Sequence, residues 1–258
     1  MKTLLKVVLG LFGLIALGLV AVFFFTTDMV TTADDFFAAV KNQNMNKAYT
    51  YLSEDFKAST SKSDLQQYLN KNAISSFKEA SWESRSINGG RGSLTGSIST
   101  ESGGVVPITL NFVEAENGWK IYSILKPSSG IHEETISAQM PSEQEQISLV
   151  KKSIQVFAED VNRKSMKKFH AYISNLWQRQ VTVAKLDEAF GAFYNIGADM
   201  TVLANYSPQF SQKPSINEDG VLVIAGKYPT KPSQVDFEQK YIYEGLGWKL
   251  MGFNINIK

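Results

Sequence analysis

One stretch of this chain is written twice, and that duplication limits what the whole can fold into. Sliding the first copy by 166 − 45 = 121 positions lays Met45 on Met166, Phe36 on Phe157 and Val40 on Val161. The same shift pairs Tyr51 with Tyr172, Ser53 with Ser174, Phe56 with Trp177 and Leu65 with Leu186. Downstream, Gly118-Trp119-Lys120-Ile121 faces Gly247-Trp248-Lys249-Leu250 at a shift of 248 − 119 = 129. The difference places about eight extra residues between the two matches, where the second copy carries long polar loops. A fixed period means one structural unit used twice.

The leading residues suggest an address. Lys2 and Lys6 flank a run from Val7 to Phe25 that holds no charge and no proline. At about 1.5 Å per residue such a helix reaches across most of a hydrocarbon core, for which about 20 residues are needed. A secretory signal has a shorter apolar centre of about 7–15 residues, followed closely by a small-residue cleavage site. Here the run ends in Phe23-Phe24-Phe25, and the first small site, after Ala33, lies far behind it. The expectation is an uncleaved anchor over residues 1–28, crossing the cytoplasmic membrane once through residues 7–25. The lysines on the short flank put the N-terminus inside and the remaining chain outside the cytoplasm. In a Gram-negative envelope that space is the periplasm. Gly10, Gly13 and Gly18 never fall four apart, so the segment reads as a tether without a small-xxx-small seam.

Composition removes several function classes. There is no cysteine, which excludes disulfides, thiolate metal sites and a cysteine nucleophile. Setting Lys2 and Lys6 aside leaves 26 − 2 = 24 basic residues against 25 acidic ones, a net charge of −1. That balance lacks the basic footprint of a nucleic-acid binder.

Each copy predicts the same plan. In the first, Thr31-Thr32 before Asp34-Asp35 suits a helix N-terminus, with Phe36, Phe37 and Val40 on one face. Met45, Ala48, Tyr49 and Leu52 follow at i, i+3, i+4 and i+7, and a third helix carries Leu65, Tyr68 and Leu69. From Trp82 the period becomes two, with Val106, Ile108, Leu110 and Phe112 alternating against polar neighbours, and Asn117-Gly118 turns into a last strand. In the second, Ser142-x-x-Glu145 is a capping box before the stripe Ile147, Val150, Ile154, Phe157 and Val161, with Glu159 and Asp160 off it. Met166 to Trp177 predicts the second helix, and Leu186, Phe190 and Phe193 the third. Strands are expected over Met200–Tyr206, Val221–Gly226, Val235–Tyr243 and Trp248–Ile257. The expected class is α+β: an anchor helix, then two repeats of three helices on a curved antiparallel sheet of about four strands. Expected boundaries are 1–28 for the anchor, 29–126 and 142–258 for the units, and 127–141 for the linker.

Ala48 to Ser53 with Asn117-Gly118-Trp119-Lys120-Ile121, and Phe169 to Ser174 with Gly247-Trp248-Lys249-Leu250, give each unit a likeness. Helical opening and tryptophan-bearing final strand resemble the nuclear transport factor 2-like superfamily, in tandem over nearly all of the chain behind the anchor. The resemblance implies a curved sheet wrapping helices into an open cone. It does not fix an activity, because the superfamily holds isomerases, dehydratases, ligand binders and structural domains. Its exported single-pass members recur as scaffold subunits of type IV secretion machines and as accessory domains of cell-wall proteins.

Candidate chemistry is sparse. Ketosteroid isomerase relatives use a carboxylate base and acidic donors at the cone wall. Here Asp236 and Glu238 share a strand face with Lys240, opposite Val235, Phe237 and Tyr241, which reads as a solvated face. Glu83 is the strand carboxylate of the first unit. His132 lies in the linker beside Glu133 and Glu134, and His170 has no metal partner at helical spacing. Arg163, Lys164, Lys167 and Lys168 form a basic cluster that suits either a helix C-terminus or a patch for anionic lipid heads or glycan phosphates near the anchoring membrane. Trp119 and Trp248 read as core. No catalytic, cofactor-binding or metal residue is assigned, and no cofactor is expected. The function expected is a membrane-anchored, extracytoplasmic, non-catalytic binding or scaffold protein of the cell envelope, meeting a protein partner or a small apolar ligand. The alternative is an isomerase-like or dehydratase-like enzyme, or a carrier, holding a small apolar molecule in one cone. A narrower variant has the second unit alone bind, through its longer loops over 207–218 and 227–233.

Overall fold

Helix ends organise this molecule. The computed structural model describes residues 26–126, 140–196 and 199–258. The expected span over residues 7–25, residues 127–139 of the linker and His132 lie outside them. Among the described residues no helix is long and apolar enough to cross a membrane. The chain divides into two compact units, Met1–Pro127 and Ser128–Lys258.

Unit one opens with α1, described over residues 26–41. Thr31 and Thr32, expected from the sequence to open it, instead lie inside it, their hydroxyls donating back to Thr27 O (3.1 Å) and Asp28 O (2.9 Å). That i−4 bond satisfies a threonine within a helix as well as at its start. Met29, Ala33, Phe36, Phe37 and Val40 form the buried face. The helix ends at Gln43, a non-glycine residue at φ 55°. Its N–H bonds Val40 O (2.9 Å), and Asn44 N–H bonds Ala39 O (2.9 Å), a Schellman closure.

Three short helices follow: α2 (Met45–Thr50), α3 (Glu54–Ser59) and α4 (Lys62–Lys71). Each starts at a side-chain cap, from Asn44, Ser53 and Ser61. The meander β1 (Phe77–Asn88), β2 (Arg91–Thr100), β3 (Val105–Ala115) and β4 (Gly118–Leu125) is antiparallel in the order β1-β2-β3-β4. Leu94, Ile98, Ile108, Leu110, Phe112, Ile121 and Ile124 line its buried side.

Unit two repeats the plan with α5 (Glu143–Arg163), α6 (Lys167–Tyr172), α7 (Asn175–Gln178) and α8 (Val183–Phe190). Lys164 ends α5 at φ 53°, and it stands 121 positions after Gln43. Its N–H bonds Val161 O (3.0 Å) and Ser165 N–H bonds Asp160 O (3.1 Å), the same closure as in unit one. Ser174 and Thr182 cap α7 and α8 as Ser53 and Ser61 cap α3 and α4. Among the described residues each unit therefore has four α-helices, not three: the cap at Ser174 breaks the expected second helix of unit two, and in unit one α3 stands between the expected second and third.

The sheet repeats too. β7 (Leu222–Tyr228), β8 (Val235–Glu244) and β9 (Gly247–Ile257) correspond to β2, β3 and β4, and a register shift falls at Asn111/Phe112 and again at Lys240/Tyr241. The first strand differs: in place of β1 stand two fragments, β5 (Gln209–Phe210) and β6 (Ser215–Ile216), both paired with β7. β5 crosses close over Gly226, where any Cβ would run into Gln209 O. Met200–Asn205, expected as a strand, is a 3-10 turn. Asp199 accepts from Thr201 N–H (2.9 Å), and Met200 and Leu203, three apart, are buried. A cap and a period of three outweigh the apolar composition that suggested a strand.

Because αL costs a side chain roughly 1–2 kcal/mol relative to Gly, Gln43→Gly should stabilise the protein by about 1 kcal/mol. Gln43→Val should destabilise it by at least as much. Urea unfolding of both variants checks the pair, and equal midpoints would exclude the closure described.

Candidate functional site

The duplication supplies an internal control. The inward residues Ile98, Leu110 and Phe112 of unit one are buried and apolar. Through the strand pairing their counterparts in unit two are Tyr228, Gln239 and Tyr241: Leu94↔Leu110↔Ile124 repeats as Ile224↔Gln239↔Phe253. Unit two has placed three polar side chains where the same sheet is stable without them.

These groups meet helix side chains. Ser153, midway along α5, lies 3.0 Å from Tyr241 Oη and 3.2 Å from Tyr172 Oη, and its hydroxyl also reaches Leu149 O (3.0 Å). Tyr241 donates to Gln239 Oε1 in a short hydrogen bond. Ser153, Tyr228, Gln239 and Tyr241 are fully buried, while Tyr172 is half-buried at the outer end. Tyr228 Oη and Gln239 Nε2 have no hydrogen-bond partner within the protein. An unmet buried polar group costs on the order of 1–3 kcal/mol, so two of them mark a place where the fold has given up stability. Burial pushes the Tyr172, Tyr228 and Tyr241 hydroxyls above their ordinary range, and in unit one raises Tyr68 to about 12. All therefore remain protonated donors at neutral pH.

Around this network the interior is aromatic. Phe157 contacts Phe169, Phe190, Phe193 and Phe253 at ring-centroid distances of 5.6, 5.0, 5.4 and 4.9 Å. Truncating such a residue to Ala typically costs about 3–5 kcal/mol.

Among the described residues each buried acid is already engaged by hydrogen-bond donors. Among the described residues Asp160 and Glu244 are the buried carboxylates. Asp160, expected off the apolar stripe, faces inward because its carboxylate accepts from Phe169 N–H (2.8 Å) at the first turn of α6. Glu244 lies on the inner side of β8, a position the alternation of Asp236 and Glu238 hides, and it accepts from Asn175 N–H (3.1 Å) and Nδ2–H (2.8 Å). Both are engaged by donors at the start of a helix.

The residues singled out in the sequence are placed elsewhere. Asp236 and Glu238 stand on the outer face, paired with Lys258 (2.5 Å) and Lys240 (3.4 Å). Glu83 is exposed on β1. His170 Nε2 lies 2.8 Å from Val181 O, and Tyr49, its counterpart 121 positions earlier, donates to Thr60 O (2.7 Å), the counterpart of Val181. His170 thus does a structural job that a tyrosine does in unit one. Trp119 and Trp248, expected in the core, are half-buried, because both follow directly on the final hairpin. Among the described residues no group of His, Asp and Glu could hold a metal ion.

A second feature belongs to the altered edge. Between β5, β6 and the start of α5 lies an open groove of about 500 Å³, lined by Met140, Glu143, Gln146, Phe210, Lys213 and Pro214 among others.

Tyr241→Phe should destabilise by about 1–3 kcal/mol, because it strips partners from buried Ser153 and Gln239, whereas Tyr228→Phe should be neutral or stabilising. Chemical denaturation at pH 7 separates the two. The raised tyrosines also set an alkaline limit. Below pH 10 folded and unfolded chains both keep these protons, so the contribution is whole. Above it the unfolded chain releases protons that the folded chain retains, so stability should fall through about pH 12 for Tyr68. Unfolding midpoints measured from pH 8 to 12 should decline, and a flat profile would contradict the burial of these hydroxyls.

No family model matches the chain, and no curated protein matches it. Among solved structures it is similar to a cystatin-like protein from Ruminococcus gnavus ATCC 29149, at 11% identity over 86% of this chain and 89% of that one, with a TM-score of 0.29. It is also similar to an Ntf2-like protein involved in plasmid conjugation, at 7% identity over 88% of this chain and 94% of that one, with a TM-score of 0.24. At scores this low the strand order and hydrogen bonds given above, not the likeness, define the fold.

Proposed function

We propose that this chain is a non-catalytic binding protein of the cell envelope, built of two nuclear transport factor 2-like units. Residues 7–25 tether it to the cytoplasmic membrane and hold both units on the extracytoplasmic side. Unit two is the binding unit. The observation that carries this reading is the replacement of Ile98, Leu110 and Phe112 by Tyr228, Gln239 and Tyr241, with the Tyr228 hydroxyl and the Gln239 amide left unpaired. Such donors inside an aromatic wall suit a small, largely apolar molecule with one hydrogen-bond-accepting head. Half-buried Tyr172 stands at the outer end of the network and is the side chain that must move to admit it. Binding without turnover fits the engagement of Asp160 and Glu244, the buried carboxylates among the described residues, by backbone donors.

The test is native mass spectrometry of the full chain extracted gently from membranes. A bound small molecule should accompany the wild type and be lost from the Tyr228→Phe/Gln239→Leu variant. Identical spectra free of added mass, with the same result after incubation with a membrane lipid extract, would end the proposal.

The groove favours a second reading, an envelope protein partner meeting unit two at its interrupted edge strand. A photo-crosslinking residue in place of Lys213 should then trap a partner in intact cells, and one in place of Glu238 on the outer sheet face should not. Crosslinks to further copies of this chain alone would remove that reading.

A further inference from the structure

Between its last α-helix and its first strand, unit two carries a much longer segment than unit one. In unit one α4 ends at Lys71 and β1 begins at Phe77; in unit two α8 ends at Phe190 and β5 begins only at Gln209. The added segment holds all the large hydrophobics that unit two exposes among its described residues: Ile196 at 40%, Val202 at 46% and Tyr206 at 43%. Single exposed apolar side chains are ordinary, but three within eleven positions, on a segment far longer than the sister unit's, stand out.

From Asp199 onward the segment is tied to the unit. Met200 and Leu203 are buried in the unit-two core, and Asn162 Nδ2 donates to Asp199 Oδ1 (2.9 Å), pinning it beside the end of α5. That end is where the basic cluster sits. Arg163 is balanced by Glu159 and Asp160, each 3.5 Å away. Asp199 is occupied by Asn162 and by Thr201, whose hydroxyl lies 2.7 Å away. Lys164, Lys167 and Lys168 are exposed and enter none of the ion pairs described. Two of the three lie beyond the α5 terminus, at the opening of α6, where the helix dipole offers no account of them.

From this juxtaposition we infer that unit two docks on an anionic phospholipid surface, with Ile196, Val202 and Tyr206 entering the headgroup boundary and Lys164, Lys167 and Lys168 on lipid phosphates. Apolar side chains beside cations that enter no ion pair are the chemistry by which a protein lies on a bilayer, and tyrosine suits the boundary between its apolar and wet layers. A protein partner of comparable strength would be met with fewer lysines, which are depleted from such interfaces. The inference rests on the tethered reading in one respect only: an anchored chain meets the bilayer at high effective concentration.

The chain has no cysteine, so a single one can be placed and labelled. Full-length Val202→Cys carrying an environment-sensitive fluorophore is mixed with phosphatidylcholine vesicles or with vesicles containing phosphatidylglycerol, and flotation is scored beside emission. The label should shift to the blue only with phosphatidylglycerol, and a label at Glu238→Cys should not shift. Lys164, Lys167 and Lys168 changed together to Gln should abolish the shift; at about fivefold per cation, surface partitioning falls roughly a hundredfold. A chain that floats with both vesicles but shows no lipid-dependent shift at position 202 overturns the docking and leaves the anchor standing. One that floats only with phosphatidylglycerol, in a lysine-dependent way, supports the docking and removes the anchor. Flotation with neither removes both. A blue shift without lipid that grows with protein concentration assigns the patch to a second copy and overturns the inference.

Discussion

One backbone tie governs each unit. Ser53 N–H donates to Ile121 O and Ile121 N–H to Tyr51 O, both at 2.9 Å, and in the second unit Ser174 N–H donates to Leu250 O at 2.7 Å. Early helix and last strand thereby become neighbours although far apart in sequence. The tie forces the helical segment to break, since a residue bonded to a strand cannot continue a helix. The serine at the break then turns its hydroxyl to the next helix, accepting from Phe56 N–H and from Trp177 N–H. Both phrases that recur in the sequence lie at this junction. Their unequal shifts, 121 and 129, record only what was inserted between two points that must touch.

Much of this was legible because periodicity and capping are local. The pairs Phe36/Phe157, Val40/Val161 and Leu65/Leu186 are buried in both units, and the capping box at Ser142 is formed. What escaped depends on contacts far along the chain. Asp160 sits beside the apolar stripe, and only Phe169 N–H, nine residues on, explains why it turns inward. Glu244 breaks the alternation of its strand because α7 begins opposite it. The polar network was within reach of the sequence all the same. Aligning the strands at 129 sets Leu110 against Gln239 and Phe112 against Tyr241, a change from apolar to polar that composition alone conceals.

The two units show what a sheet needs and what it tolerates. Unit one builds its interior from aliphatic and aromatic side chains without a tyrosine–glutamine chain. Unit two buries hydroxyls and an amide, holds most of them by mutual bonds, and leaves two groups unmet. Buried polar groups raise stability only when fully satisfied, so this arrangement weakens the unit that carries it. Natural domains keep such features at sites that do something other than fold.

The interrupted first strand has a further effect, on how the protein behaves in a crowd. In unit one β1 runs twelve residues along the border of its sheet, with two register irregularities and with Lys78, Glu79, Glu83 and Arg85 set along it. Those are the usual guards against a stranger's backbone adding to an open border. Unit two needs fewer of them, because β5 and β6 each offer only two residues. A template that short cannot seed a growing stack of strands. The two short fragments beside the groove have also made that border a poor starting point for amyloid-like assembly.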